Sequence, residues 1–228
     1  MKNITYITVI AILIFTSCAT PRDGFGDRVG AGSCDLFESH YNPQSGYWSL
    51  GENIGAPNSN SWESQPTLSS DGNFLVFARA LHVRGKGSDL FGSVRGEDGV
   101  WGKAFPLPGK INTPYEEESP FLHPDGETIY FSSNGHPGLG GLDIFVSRKQ
   151  SNGEWGKPEN LGFPLNTHND ENSLMVEPDG VFAIFASDRS NTAGDLDILR
   201  VELPPEARPI SVNALTGIVV DHLTGKPL

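Results

Sequence analysis

One interval governs this chain: 54 residues. Asp-Gly pairs stand at Asp71-Gly72, Asp125-Gly126 and Asp179-Gly180. The same step joins Glu63, Glu117 and Glu171, then Asn58, Asn112 and Asn166, then Phe77, Phe131 and Phe185. Asp35, Asp89, Asp143 and Asp197 form a further series, each followed by two apolar residues. Trp48, Trp101 and Trp155 keep the interval to within one residue. A period of this length means repetition of one supersecondary unit, because so small a unit cannot bury its apolar face alone and must stack on its neighbours.

The unit reads as a small antiparallel sheet. Apolar residues alternate in Phe74 to Phe77 and Ile129 to Phe131, the period of two that a sheet with a buried face requires. Asp-Gly between such runs predicts a hairpin, since Gly accepts the positive φ of a tight turn. The Asp-Leu-Phe or Asp-Ile-Phe run supplies a third strand, and the Gly-x-Trp segment a fourth. With no helical periodicity of any length, the expectation is an all-β chain, a β-propeller of four-stranded antiparallel blades. Cys34 to Pro57 holds only the back half of a unit, and the unit that begins at Glu171 stops after its third strand, near Leu203. The expected propeller is therefore open or incomplete, with about three to four blades against the usual minimum of four.

The ends read differently. Lys2, the apolar run Ile4 to Phe15 and the small residues Thr16-Ser17 before Cys18 predict a targeting segment, with residues 1–17 as a signal peptide. The run is too short to cross a bilayer, which takes about 20 apolar residues. Residues 18–33, rich in Gly, read as a tether, and 34–203 as the repeat domain. Residues 204–212, beginning Pro204-Pro205, read as a stiff linker, because Pro cannot extend a ladder. Residues 213–228 offer one strand, Ile218 to Val220, and one turn, Thr224-Gly225, as the incomplete start of another module. The net charge of −12 excludes nucleic acid as a partner, since phosphates call for a basic surface. The two cysteines, Cys18 and Cys34, exclude a disulfide-rich scaffold.

No catalytic signature is present: no Gly-x-Ser-x-Gly elbow, no His-Glu-x-x-His, no phosphate-binding Gly loop and no Cys pair for zinc. The six histidines are scattered without ligand spacing and read as loop or surface residues. Asp170, Glu171, Asp195 and Asp197 could offer oxygens to calcium. Glu171 and Asp197 belong to the repeat, however, which favours a structural use in turns. Trp101 and Trp155 read as packing residues for the same reason. No catalytic, cofactor or metal residue is assigned, and the expectation is a protein that is not an enzyme. Departures from the repeat fall on loops that a propeller gathers on one face. They give the candidate binding face Trp62, His82, Arg84, Lys86, Tyr115, His136, His168 and Arg189.

Ser119-Pro120, Pro124-Asp125-Gly126, Tyr130-Phe131-Ser132-Ser133 and Gly140-Gly141-Leu142-Asp143-Ile144-Phe145 resemble the TolB-type, WD-like propeller repeat. Thr16-Ser17-Cys18 resembles the bacterial lipoprotein signal, which implies lipidation at Cys18 and leaves Cys34 without a partner. Gly217 to Asp221 with Thr224 to Leu228 resembles the opening of a carboxypeptidase-regulatory-like module. This order is similar to envelope lipoproteins of the Bacteroidetes type that continue into an OmpA-like domain. The resemblance implies a non-enzymatic scaffold or protein-binding lipoprotein of the outer membrane, facing the periplasm and held to the membrane through Cys18. Its implied partners are envelope proteins, OmpA-like or peptidoglycan-associated. The alternative is a glycan-binding or sialidase-like propeller, because Ser69-Ser70-Asp71-Gly72 is similar to the Asp-box of sialidases. That reading requires Arg79, Arg84, Arg189 and Tyr115 to converge on one pocket.

Overall fold

A computed structural model describes residues 12–17, 34–80, 87–177, 179–189, 196–212 and 224. Among these the structure is strand and loop, with a single 3-10 turn at Pro205–Ala207. The strands form four antiparallel sheets in chain order. The first holds β1 (Ile12–Ser17), β2 (Asp35–Asn42), β3 (Tyr47–Trp48) and β4 (Glu52–Asn53). The second holds β5 (Glu63–Leu68), β6 (Phe74–Ala80), β7 (Ser88–Val94) and β8 (Phe105–Pro106). The third holds β9 (Glu117–Leu122), β10 (Thr128–Ser133), β11 (Asp143–Arg148) and β12 (Glu159–Asn160). The fourth holds β13 (Glu171–Val176), β14 (Phe182–Ser187) and β15 (Asp197–Glu202).

The Asp-Gly turns work as the sequence implies. Gly72, Gly126 and Gly180 sit at φ of 71°, 70° and 71°, where a side chain would be strained. Each donates its N–H to the carbonyl three residues back, and the preceding Asp caps the turn by accepting a following N–H. The Ser69 hydroxyl, and after it the Asn73 N–H, hold the Asp71 carboxyl below the usual carboxylate range.

Packing occurs between sheets, in three apolar layers. Leu36 of the first sheet meets Leu75, Phe77, Phe91 and Trp101 of the second. Val76, Ala78 and Leu90 meet Ile129, Phe131, Phe145 and Trp155. Tyr130, Ile144 and Val146 meet Ala183 and Phe185. Each fully buried Leu or Phe contributes about 1.5–3 kcal/mol, so the three joints together form the core. Trp101 and Trp155 are buried, and both reach back to the sheet before their own. Trp101 donates its indole N–H to Glu38 at 3.0 Å, and the Trp155 backbone N–H bonds Pro108 O at 3.2 Å. Trp48 occupies the same place in the first sheet, which has no predecessor among the described residues, and it is 48% exposed.

A side-chain clamp closes each outer strand. Asn58 accepts the Leu36 N–H at 2.8 Å and donates to the Leu36 carbonyl at 2.9 Å. Asn112 does the same to Leu90 at 2.8 and 3.0 Å, and Asn166 to Ile144 at 2.8 and 2.8 Å. The Asn series of the sequence thus fixes the connection from one sheet to the next.

Three features of the chain's course go beyond these expectations. Residues 12–17, in the expected targeting segment, pair with β2 at the register of a second strand: Phe15 lies opposite Phe37 as Phe77 lies opposite Phe91 and Phe131 opposite Phe145. The apolar run that marks a leader is equally suited to a buried strand. The expected linker is docked on the third sheet. Tyr130 OH donates to Ala207 O at 2.5 Å, Arg148 to the carbonyls of Glu206 and Arg208 at 2.9 Å each, and Ile210 N–H to Asp125 at 2.9 Å. Cys34, expected to lack a partner, is disulfide-bonded. The chain's other cysteine, Cys18, lies outside the described residues.

Among the described residues no strand of the first sheet packs on a strand of the fourth, so the four described sheets form an open arc. Among the described residues no helix is long and apolar enough to cross a membrane.

Candidate functional site

The segments that lead into the second, third and fourth sheets lie against the ends of the second strands, where Ala80 N–H bonds Trp62 O, Asn134 N–H bonds Glu116 O and Asp188 N–H bonds Asp170 O. The reason is a buried glutamate at the start of every inner strand. Glu117 accepts the Thr113 N–H at 2.8 Å, the Thr113 hydroxyl at 2.7 Å and the Ser133 hydroxyl at 2.7 Å. Glu171 accepts the equivalent groups of Thr167 at 2.8 and 2.6 Å and Ser187 at 3.0 Å, and adds Arg189 at 3.2 Å. Glu63 accepts Ser59 N–H at 3.2 Å and Arg79 at 2.8 Å. A buried carboxylate needs this many donors, because an unpaired one is strongly disfavoured.

That frame decides where the predicted face residues go. His136 bonds Ile111 O at 2.7 Å and packs on Phe131 and Phe145, so it braces the loop. Trp62 is half-buried, bridges to Cys34 and packs against the second apolar layer. Tyr115 is exposed. His82, Arg84 and Lys86 lie outside the described residues. Only His168 and Arg189 share a cleft, of about 440 Å³, with Leu139, Phe163, Asn166, Thr167 and Asn169. Arg189 is engaged there: it donates to Pro164 O at 3.1 Å and Leu165 O at 2.7 Å as well as to Glu171. Arg79 likewise serves its own sheet through Glu63, with its guanidinium 4.4 Å from the Phe91 ring centroid. These two arginines therefore brace different sheets and do not converge. His123, expected in a loop or at the surface, is buried in its turn, where its Nδ1 takes the Asp125 N–H at 3.2 Å.

The inner strands carry a feature that the sequence does not announce. Gln65, Ser119 and Ser173, one period apart, adopt φ of 53°, 50° and 56°. Each stands where the ladder between first and second strands breaks register. Non-glycine residues rarely hold this conformation, and a bulge re-aims side chains. Here they aim from sheet to sheet: Gln65 accepts the Ser119 N–H at 2.9 Å, and the hydroxyls of Ser119 and Ser173 lie 3.3 Å apart. Together with Pro66 to Leu68, Pro120-Phe121 and Leu174-Met175 they line an axial groove of about 500 Å³.

Glu118 stands beside this polar belt. Burial pushes its carboxyl above the usual range, the charges of Glu116 and Asp170 add to the rise, and the Gln65 amide opposes it. A raised carboxyl stabilises the fold fully below its unfolded value, and that contribution is lost as pH rises through the folded value. Glu118→Gln is therefore expected to melt higher than the parent at pH 7 and no higher at pH 4, as read by thermal denaturation across that range. An equal shift at both pH values would contradict the assignment.

The fourth sheet presents a further surface, one that no chemical motif marks. Ile198 occupies the place of Leu36, Leu90 and Ile144, all fully buried, yet it is 78% exposed. No described strand pairs with the outer edge of β15. The signal was in the repeat: the Asn series ends, and Val220 stands where its next member falls.

No family model matches the chain, and no curated protein matches it. Among solved structures it is similar to an alpha-L-arabinofuranosidase from Lactobacillus brevis, at TM-score 0.53 and 12% identity, covering 92% of this chain and 76% of that one. It is also similar to the endo-arabinase from Bacteroides thetaiotaomicron VPI-5482, at TM-score 0.51 and 16% identity, covering 75% and 66%. TolB from Acinetobacter baumannii matches at TM-score 0.49 and 16% identity, over 85% of this chain and 38% of TolB. The chain thus spans well under half the length of that TolB structure and about two thirds of the arabinase. Taken with the four serial sheets and their interleaved cores, the likeness to the arabinofuranosidase and the arabinase gives the fold: the chain is a β-propeller, its four described sheets set in an open arc.

Proposed function

We propose that the chain is a non-enzymatic envelope protein whose propeller binds other proteins. The observation that carries this reading is Ile198: a surface sealed at every interior joint is open on the fourth sheet, at 78% exposure. An exposed apolar residue beside a strand edge that no described strand pairs marks an interaction site. The aromatic edge of the first sheet, Tyr41, Tyr47 and Trp48, is a second exposed surface of the same kind. The binding of Arg79 and Arg189 within their own sheets supports a non-catalytic reading over a sialidase-like one.

Within the envelope the proposed address is the outer membrane, periplasm-facing, with residues 1–17 removed and Cys18 lipidated. The proposed partners are OmpA-like or peptidoglycan-associated proteins. The anchor excludes Cys18 from any disulfide, because its sulfur carries the lipid, and removal of residues 1–17 strips β1 from β2. Both consequences are measurable in the intact mass of the protein from its native envelope, combined with cross-linking. A triacyl mass with a reproducible cross-linked protein is the expected result. An unlipidated protein that captures no protein partner and is retained on glycan would overturn it.

A glycan-binding reading has one observation in its favour, the cleft where exposed Phe163 and Leu139 lie beside His168. Retention on an arabinan or sialoglycan column that is lost in Phe163→Ala would support that reading.

A further inference from the structure

We infer that the outer edge of β15 is a docking slot for an extended segment of a partner protein, one carrying an aliphatic residue followed four or five residues later by asparagine. This rests on the protein-binding reading above and names the segment that would be recognised. The molecule already makes this interaction three times. Beside β2, β7 and β11 lies a two-residue outer strand, with Phe37 opposite Asn53, Phe91 opposite Pro106 and Phe145 opposite Asn160. An aliphatic residue follows each, Ile54, Leu107 or Leu161, and its N–H bonds the carbonyl of Leu36, Leu90 or Ile144 at 3.2, 3.0 and 3.1 Å. The chain then turns and returns the clamp: Asn58, Asn112 or Asn166 brackets the N–H and C=O of that same residue.

Every element on the receiving side is present in the fourth sheet. β15 pairs with β14 in the common register, Leu199 opposite Phe185 as Phe145 is opposite Phe131. That register directs the N–H and C=O of Ile198 outward, as it does those of Ile144. Among the described residues no outer strand and no asparagine meets them. The face beside the edge matches an apolar segment with polar flanks: Ile198 is bare, and Arg200 lies flat on Phe182 at 3.8 Å, held by Glu177 at 2.6 and 3.0 Å. Addition of a strand to an open edge draws affinity from main-chain bonds and specificity from side-chain clamps. Here the clamp is the asparagine.

The probe is a labelled peptide of residues 157–167 of this chain, Lys-Pro-Glu-Asn-Leu-Gly-Phe-Pro-Leu-Asn-Thr, added to the full chain and followed by fluorescence anisotropy. Saturable binding is expected, weakened about tenfold or more when the peptide's Asn166 is replaced by Ala, since two hydrogen bonds are lost. Ile198→Glu places a charge on the bare face and is expected to weaken binding to a similar degree. Ile198 is exposed, so that variant should keep the parent's circular dichroism and melting temperature. Ile198→Pro, which deletes the outward N–H at an edge position, is the second variant. The inference is overturned by an absence of saturable binding, including the case in which residues 213–223 fill the slot, or by binding indifferent to the asparagine and to both Ile198 variants. It also falls, while the protein-binding reading stands, if native cross-links form but map away from β15.

Discussion

Glu171→Ala is expected to lower stability by about 3–5 kcal/mol, because removing one partner of a buried ion pair leaves the rest of the site uncompensated. The carboxylate is fully buried and collects Thr167 from the loop before β13, and Ser187 and Arg189 from the end of β14. Its loss frees the loop before β13 from both inner strands at once. A shift of this size corresponds to roughly 6–20 °C in melting temperature for a chain of this length. Urea denaturation at constant m would register it as a fall in midpoint. Glu171→Gln, which retains an acceptor for the Thr167 groups, should lose less than Glu171→Ala. A cost below about 1 kcal/mol for the alanine variant would mean that the repeated glutamate does not hold the sheets, and its recurrence would need another cause.

Trp155→Ala should cost a comparable amount, about 3–5 kcal/mol, as expected for truncating a large buried aromatic. Trp48 belongs to the same series in the repeat but lies open on the first sheet, so Trp48→Ala should cost less than about 1 kcal/mol. The contrast matters more than either value. Equal losses would place Trp48 in a joint that the described residues do not show, whereas a harmless Trp155→Ala would remove the indole from the packing of the second joint. Chemical denaturation of the two variants side by side decides between these outcomes.

Much of the architecture was readable from one interval, because propeller sheets are copies and each copy must present the same apolar residues to its neighbour. The Asp-Gly turns and the buried Trp101 and Trp155 follow from that alone. Other features were hidden for identifiable reasons. The left-handed Gln65, Ser119 and Ser173 carry no composition that marks them, since the conformation is imposed by the bulge and compensated by bonds between sheets. The docking of residues 204–210 is made chiefly by backbone carbonyls that receive Tyr130 and Arg148, so from composition the Pro-rich segment reads only as a stiff linker. Residues 12–17 combine strand and leader character in one apolar run. On the predicted binding face, spacing could not distinguish the loop brace His136 from the cleft residue His168. The distinction depends on Ile111, Phe131 and Phe145, which bind one ring and not the other.

The backward reach of Trp101 and Trp155 has a consequence for synthesis. Each of the first three sheets receives the cover for its trailing face from residues encoded one period later, so a nascent sheet leaving the ribosome is wet on that side. At about 5–20 residues per second, 54 residues take roughly 3–11 seconds to appear. Through that delay the newest sheet is the vulnerable one, and completion runs in a single direction along the chain, each arrival drying the sheet before it and leaving its own far side for the next.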